Sequence, residues 1–297
     1  MPSYAFQNPE MDGMKSFRGR VAAITGAGSG IGRALALQLA SEGCHLALSD
    51  VNETGLADTV AQARAQDAQL RVTSQRLDVA DRAAVFDWAA SVVAEHGQVH
   101  LIFNNAGVAL GATVDGMSIE DCEWLMNINF WGVVHGTQAF LPHLKAAGEG
   151  HVVNISSLFG LLAVPSQSAY NAAKFAVRGF TESLRQELDM LGGAVSATCV
   201  HPGGIKTAIA RNARQDTSIR ALGMDETSAG SDFEKHFITT PEKAARIILR
   251  AVRHNRRRVL VGPDAVVLDT VQRLMPTLYQ RITPLLMGRG RKARAPA

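Results

Sequence analysis

Tyr170 and Lys174 are the residues best suited to acid–base chemistry on an oxygen atom. They lie four apart in AYNAAKFAVRGFTESLRQEL, whose apolar spacing reads as a helix, so the lysine follows one turn later on the same face and reaches back toward the phenol. A free phenol has a pKa of about 10, too high to exchange protons near neutrality. A cation at roughly 4 Å, in a medium of effective dielectric about 20, contributes ~4 kcal/mol. At about 1.36 kcal/mol per unit this predicts a phenol lowered by roughly two or three units, fit to act as general acid or base on an alcohol or carbonyl. The other tyrosines lack the arrangement, since Tyr4 precedes Asn8 and Tyr279 precedes Thr283. Ser157 stands 13 residues before Tyr170, directly after HVVNIS. That short apolar run reads as a buried strand, which places the serine hydroxyl at the strand's carboxyl end.

The elements that must position these groups alternate. RVAAI, a strand, breaks at Gly26, Gly28, Gly30 and Gly32 and passes into the helical spacing of IGRALALQLASEG. CHLALSD and LRVTSQRLD are further strands, each followed by a helix, with Asn52 and Asp81 as caps. VHLIFNNAG is a fourth strand, and the stretch from about residue 121 to Gly148 reads as one long helix. HVVNIS, a helix over Tyr170–Leu191, AVSATCVHPGG, a helix over Thr239–His254 with Pro241 in its first turn, and RRVLVG complete the series. Strands and helices in this order predict an α/β protein: a Rossmann-type, doubly wound parallel sheet of about seven strands with helices on both faces.

In such a fold the first glycine turn brings backbone N–H groups at a helix amino end close to a pyrophosphate, with Gly26, Gly28, Ser29, Ile31 and Gly32 as the candidate contacts. Asp50 ends the second strand, eighteen residues beyond Gly32. A carboxylate there accepts from an adenosine ribose 2′-hydroxyl and repels a 2′-phosphate, favouring NAD over NADP. Arg33 complicates this, because a guanidinium nearby attracts phosphate, while Val51 supplies no basic partner.

TGAGSGIG at 25–32, NNAG at 104–107, Ser157, Tyr170 with Lys174, and PGGIKT at 202–207 occur together and in order. In this the chain, over about residues 18–262, resembles the short-chain dehydrogenase/reductase family. With Ile at position 31 the glycine turn departs from the G-x-G-x-x-G fingerprint and matches that family's spacing. The resemblance implies an adenine contact at Asp78 with Val79 beside it, a ribose contact at Asn105, and nicotinamide contacts from the Ile205 backbone and the Thr207 hydroxyl. It implies that Lys174 also touches the nicotinamide ribose, and that Ser157 holds the substrate oxygen. Asn129, for which Asn127 competes, would hold a water in a proton relay from Lys174. His201 reads as structural. The activity expected is interconversion of a secondary or other apolar alcohol and its carbonyl compound with NAD(H), in a homodimer or homotetramer; NADP use, or a nucleotide-binding regulatory protein without catalysis, are the alternatives. Leu158, Phe159, Leu161, Leu162, Val164 and Phe130 suggest an apolar pocket.

The 297 residues suit one domain over 18–262, an N-terminal extension over 1–17 and a C-terminal helical extension over 263–297 with a basic tail. A net charge of +3, much of it local to Arg256–Arg258 and the tail, gives no case for nucleic acid. Three isolated cysteines, Cys44, Cys122 and Cys199, suit a reducing, cytoplasmic compartment, and neither they nor the nine histidines have metal-ligand spacing. The first seventeen residues do not read as a signal peptide, and no run is apolar enough to span a membrane. Residues 208–239 are polar and poorly periodic, as in a binding loop or lid. Beyond them, Val267, Val271, Leu274, Leu278 and Leu285 form an apolar helical face broken by Pro276 and Pro284. It is expected to pack on the domain or on a second subunit rather than on an anionic membrane.

Overall fold

The computed structural model describes residues 14–235 and 237–288; the first thirteen residues and the tail bearing Arg289, Arg291, Lys292 and Arg294 lie outside the described residues. β1 (Val21–Thr25) is buried along its whole length and passes through the glycine turn into α1 (Gly30–Ser41). β2 (His45–Asp50), α2 (Glu53–Arg64), β3 (Val72–Arg76) and α3 (Arg82–His96) repeat the pattern. Asn52 accepts from the Gly55 N–H and Asp81 from the Ala84 N–H, the two caps expected from the sequence. After β4 (Leu101–Asn104) and a two-residue strand, β5 (Leu110–Gly111), come α4 (Ile119–Met126), a π-turn over Asn127–Trp131, and α5 (Gly132–Ala146). The single long helix expected here is therefore two helices joined by a wider turn, a distortion that apolar spacing does not register.

β6 (Gly150–Ile155) leads through a 3₁₀ turn, Leu158–Gly160, to α6 (Ser168–Leu191) and β7 (Val195–Pro202). The stretch expected as a loop is folded. It holds β8 (Arg214–Gln215), a 3₁₀ turn over Thr217–Leu222 and α7 (Ala229–Glu234), and β8 pairs in parallel with β5. The Arg214 guanidinium stacks 3.6 Å over the Trp124 ring and bonds Asp121 at 2.6 Å, which fastens the segment to α4. α8 (Pro241–Arg253) is capped by Thr240, and β9 (Arg258–Val261), α9 (Pro263–Leu274) and α10 (Leu278–Gly288) follow. Pro276 separates the last two helices as expected. Pro284 does not break α10, because it falls in the second turn, where its missing N–H removes one bond rather than the helix.

The main sheet runs β3-β2-β1-β4-β6-β7-β9, with every pairing parallel, which bears out the doubly wound reading. The chain winds outward from β1 to β3 and then crosses back to start again at β4, so a crevice opens at the carboxyl ends of β1 and β4. α1, α2 and α8 bury Leu35, Leu39, Val60, Ile248 and Leu249 against one face of the sheet. α3, α5 and α6 bury Trp88, Val92, Phe140, Leu144 and Leu188 against the other. Among the described residues, no helix is long and apolar enough to cross a membrane.

On the C-terminal helices Val267 is 60% exposed, Leu274 76% and Leu285 68%, so of the two expected partners, the domain and a second subunit, the domain does not cover this face.

Trp88 is 2% exposed and meets Phe140 edge to face at 5.1 Å. Its truncation leaves a cavity that this rigid layer cannot collapse to fill. Trp88→Ala should lower the free energy of unfolding by about 3–5 kcal/mol, measured by chemical denaturation.

Candidate active site

Six turns converge at the carboxyl edge of the sheet, after β1, β2, β3, β4, β6 and β7. The first is held by close approach. Gly26 has φ +64°, and a Cβ there would lie 2.8 Å from the Ala106 Cα; one on Gly32 would lie 2.1 Å from the Gly26 carbonyl oxygen. Side chains can occupy neither place, so the amino end of α1 stands bare toward the crevice, with Ser29 extended as its N-cap and Ile31 packed on the core behind it. Thr25 joins β1 to β4: its Oγ1 accepts from the N–H groups of Asn105 at 2.9 Å and Ala106 at 3.0 Å. The Asn105 amide donates back to the carbonyls of Thr25 and Gly26. The sequence singled out Asn105, but not the threonine that places it.

Asp50 ends β2 as expected, its Oδ2 accepting from the Gly28 N–H at 2.8 Å and its Oδ1 from the Asn52 N–H at 2.8 Å. Arg33 donates to the Gly28 carbonyl at 2.6 Å, the Gly55 carbonyl at 3.0 Å and Thr59 Oγ1 at 3.0 Å. Its guanidinium thus serves as a strut between the glycine turn and α2. Asp78 is exposed at the end of β3 and accepts from the Ala80 N–H at 2.9 Å; Val79 is buried against Gly132.

On the far side, the turn after β7 swings over α1. Ile205 is buried and bridges to Thr239, and the Thr207 side chain reaches the Gly30 end of the glycine turn. Spacing gave no sign of the residue that holds this turn. Asp264, in the first turn of α9, accepts from the Gly204 N–H through Oδ2 at 2.6 Å.

Ser157, Tyr170 and Lys174 come together where β6 ends. Ser157 opens the 3₁₀ turn, its Oγ accepting from the Phe159 N–H at 3.1 Å, and its side chain lies beside the Tyr170 phenol. The Lys174 ammonium, 3% exposed, donates to the Ile155 carbonyl at 3.0 Å and lies 5.6 Å from the centre of the Tyr170 ring. The lowered phenol expected from the pair is not found. Burial pushes Tyr170 up to about 12, opposed by the nearby Ser157 hydroxyl, and burial draws Lys174 down to about 8. The ammonium points at the Ile155 carbonyl rather than at the phenolic oxygen, so its charge does not offset the loss of water. His201 is structural: Nδ1 donates to the Ser157 carbonyl at 3.0 Å, and burial lowers its pKa to about 4.

Of the two asparagines on the π-turn, Asn127 is exposed and Asn129 fully buried. Asn129 Oδ1 accepts from the Val108 N–H and its Nδ2 donates to the Val108 carbonyl, both at 2.8 Å. Its amide clamps the backbone just beyond the NNAG turn, two residues before β5.

The proposed apolar pocket divides. Leu158, Leu161 and Leu162 are core, at 5%, 2% and 5% exposure. Phe130, Phe159 and Val164 are half-buried. Phe159 meets Tyr170 edge to face at 6.2 Å and Phe233 of α7 at 5.9 Å, and Phe233 meets Phe237 at 5.4 Å. A row of aromatic rings thus leads from the phenol into the segment over the crevice. The phenylalanines of that segment were hidden in a polar stretch and gave no periodic signal.

Residues 20–218 match the family model described as short chain dehydrogenase. A Mycobacterium tuberculosis protein designated SadH and described as an oxidoreductase is 54% identical over 270 residues, covering 91% of this chain and 95% of that protein. A short-chain dehydrogenase/reductase from Burkholderia phymatum, solved in complex with NAD, superposes with a TM-score of 0.82 at 34% identity over 90% of this chain and 97% of that one. Levodione reductase superposes with a TM-score of 0.72 at 27% identity over 84% and 99%.

Removing the Asn129 amide strands two buried backbone groups at Val108. Asn129→Ala should cost about 1–3 kcal/mol in urea unfolding, while Asn127→Ala at the exposed neighbour should change it by less than about 0.5 kcal/mol.

Proposed function

This chain belongs to the short-chain dehydrogenase family, and from that premise we propose that it interconverts an apolar secondary alcohol and its carbonyl compound with NAD(H), Tyr170 handling the proton. The observation that carries the reading is the convergence of the Ser157 and Tyr170 side chains at the carboxyl edge of β6, with the Lys174 ammonium 5.6 Å from the centre of the tyrosine ring. Two neighbouring hydroxyls offer a site for one substrate oxygen.

The residues present fit a dinucleotide. The backbone cradle at Gly26 and Gly32, which a Cβ would fill, leaves N–H groups at the start of α1 for a pyrophosphate. Asp50 offers its remaining lone pairs to a ribose hydroxyl and disfavours a 2′-phosphate, which supports NAD over NADP; Arg33, already bonded to two carbonyls, does not reverse this. Asn105, Ile205, Thr207 and Lys174 are the remaining candidate contacts, with Asp78 and Val79 toward the adenine side. When bound, NAD supplies the carbon that takes or gives hydride.

The chain's own part is as follows. In alcohol oxidation Tyr170 Oη takes the hydroxyl proton as its own phenolic proton passes to the neutral Lys174 amine, while Ser157 donates to the same oxygen and holds it against developing charge. In reduction the phenol returns that proton. Lys174, lowered to about 8 by burial, is the member of the pair able to release a proton onward near neutrality. Asn129 positions the Val108 backbone beside it. The half-buried Phe159 ring and the Phe233 ring that it meets support an apolar substrate. Exposed Trp131 and Phe175, at 47% and 39%, support a homo-oligomer, and three unpaired cysteines support a cytoplasmic setting.

Tyr170→Phe should lower kcat by about 10²–10⁴-fold on any alcohol or ketone the wild type turns over, with NAD binding by fluorescence titration nearly unchanged. Wild-type turnover in that variant would refute the assignment. The pair must lose a proton for oxidation and hold one for reduction. Oxidation should therefore rise about tenfold per unit up to about pH 8 and then level, while reduction falls above it. Lys174→Arg, whose charge persists, should remove that inflection from the pH–rate profile.

A further inference from the structure

Eight of the seventeen large apolar side chains that the described residues expose lie between Val266 and Leu285. Several are ordered. On α9, exposed Val267 and Leu274 recur at helical spacing with half-buried Val271 between them, and on α10 Leu278, Ile282 and Leu285 repeat the interval. The helices are anchored by other residues: Ala265 and Asp269 are buried at 0% and 7%, and the Tyr279 hydroxyl accepts from the Ala163 N–H at 3.2 Å. Their apolar stripes are therefore left over from folding.

Charge identifies what covers them. From Thr270 to Ala297 the chain carries Arg273, Arg281, Arg289, Arg291, Lys292 and Arg294 and no acidic residue, although the whole protein has a net charge of only +3. Arg281 is exposed on α10, and Arg273, exposed on α9, bonds Asp269 at 2.8 Å. A second copy of this chain on the same face would set these cations against their equivalents around a two-fold axis. An acidic peptide would answer the charge but leave the stripes wet. An anionic bilayer surface answers both, since acyl chains take the apolar residues and headgroup phosphates take the arginines.

We infer that the outer face of α9 and α10 is a docking surface for anionic phospholipid. The surface is separate from the catalytic residues and does not depend on the function proposed for them. It is amphipathic rather than spanning, so attachment is reversible and sensitive to ionic strength.

The test is sedimentation of the full chain with vesicles of phosphatidylglycerol and phosphatidylcholine in equal parts, set against phosphatidylcholine alone. The chain should pellet with the anionic vesicles only, and salt at about 0.5 M should release it. The triple variant Leu278→Ser, Ile282→Ser, Leu285→Ser alters exposed residues and should keep the wild-type circular dichroism while losing about tenfold or more in vesicle partition. Arg273→Gln with Arg281→Gln should weaken partition as well. Failure to pellet with anionic vesicles, equal pelleting with phosphatidylcholine, or undiminished binding by the triple variant would each overturn the inference. So would a fall in the native mass of that variant, which would assign the face to a subunit contact.

Discussion

The placement of Lys174 governs the site. It is tied to the end of β6 at both of its ends: its ammonium donates to the Ile155 carbonyl at 3.0 Å, and its own carbonyl accepts from Ser156 Oγ at 2.7 Å. A buried ammonium is costly unless hydrogen-bonded, and a buried hydroxyl less so, so both bonds resist being broken. Together they fix the register of α6 against β6 at one residue. Because Tyr170 is one turn before Lys174 on α6, and Ser157 two residues beyond Ile155, that register sets where the phenol meets the serine.

Around this point the structure is a set of neighbouring turns, each held by the next. Thr25 joins the turns after β1 and β4, Asp50 joins β2 to the glycine turn, and His201 joins β7 to Ser157. Beneath them Asn104 donates to Asn154 at 2.8 Å and to Thr137 at 3.1 Å, and Asn154 donates to Thr181 at 3.0 Å. This polar ladder inside an apolar layer pins α5 and α6 to adjacent strands. The arrangement suits a site that must hold two reacting partners at fixed separation.

The fold was legible because its signals are local. Continuous apolar runs of four to eight residues, glycines such as Gly97 and Gly192 beyond helix ends and capping residues such as Asn52 and Asp81 mark buried parallel strands and the helices between them. The residues of the site were legible by type and order, and the choice between Asn127 and Asn129 only by burial. What spacing cannot carry is solvent exclusion. The ammonium was expected to dominate the phenol, but the balance is set by how dry the site is and where Nζ points, neither of which is a property of intervals. The segment over 208–239 was obscured for a similar reason. Its order comes from long-range partners, β5 for β8 and Trp124 for Arg214, and not from a periodic face of its own.

Asp264 gives the far end of the chain a part in this architecture. Its carboxylate crosses back from α9 to hold the Gly204 N–H, two residues after Pro202, the last residue of β7. The carboxyl-terminal segment is therefore not an appendage that could be trimmed at Val261 to yield a minimal core. A chain shortened there would keep all seven strands of the sheet but leave the turn bearing Ile205 and Thr207 without its anchor, so that insertions, tags or fusions at this end act on the mouth of the crevice even though they lie outside it.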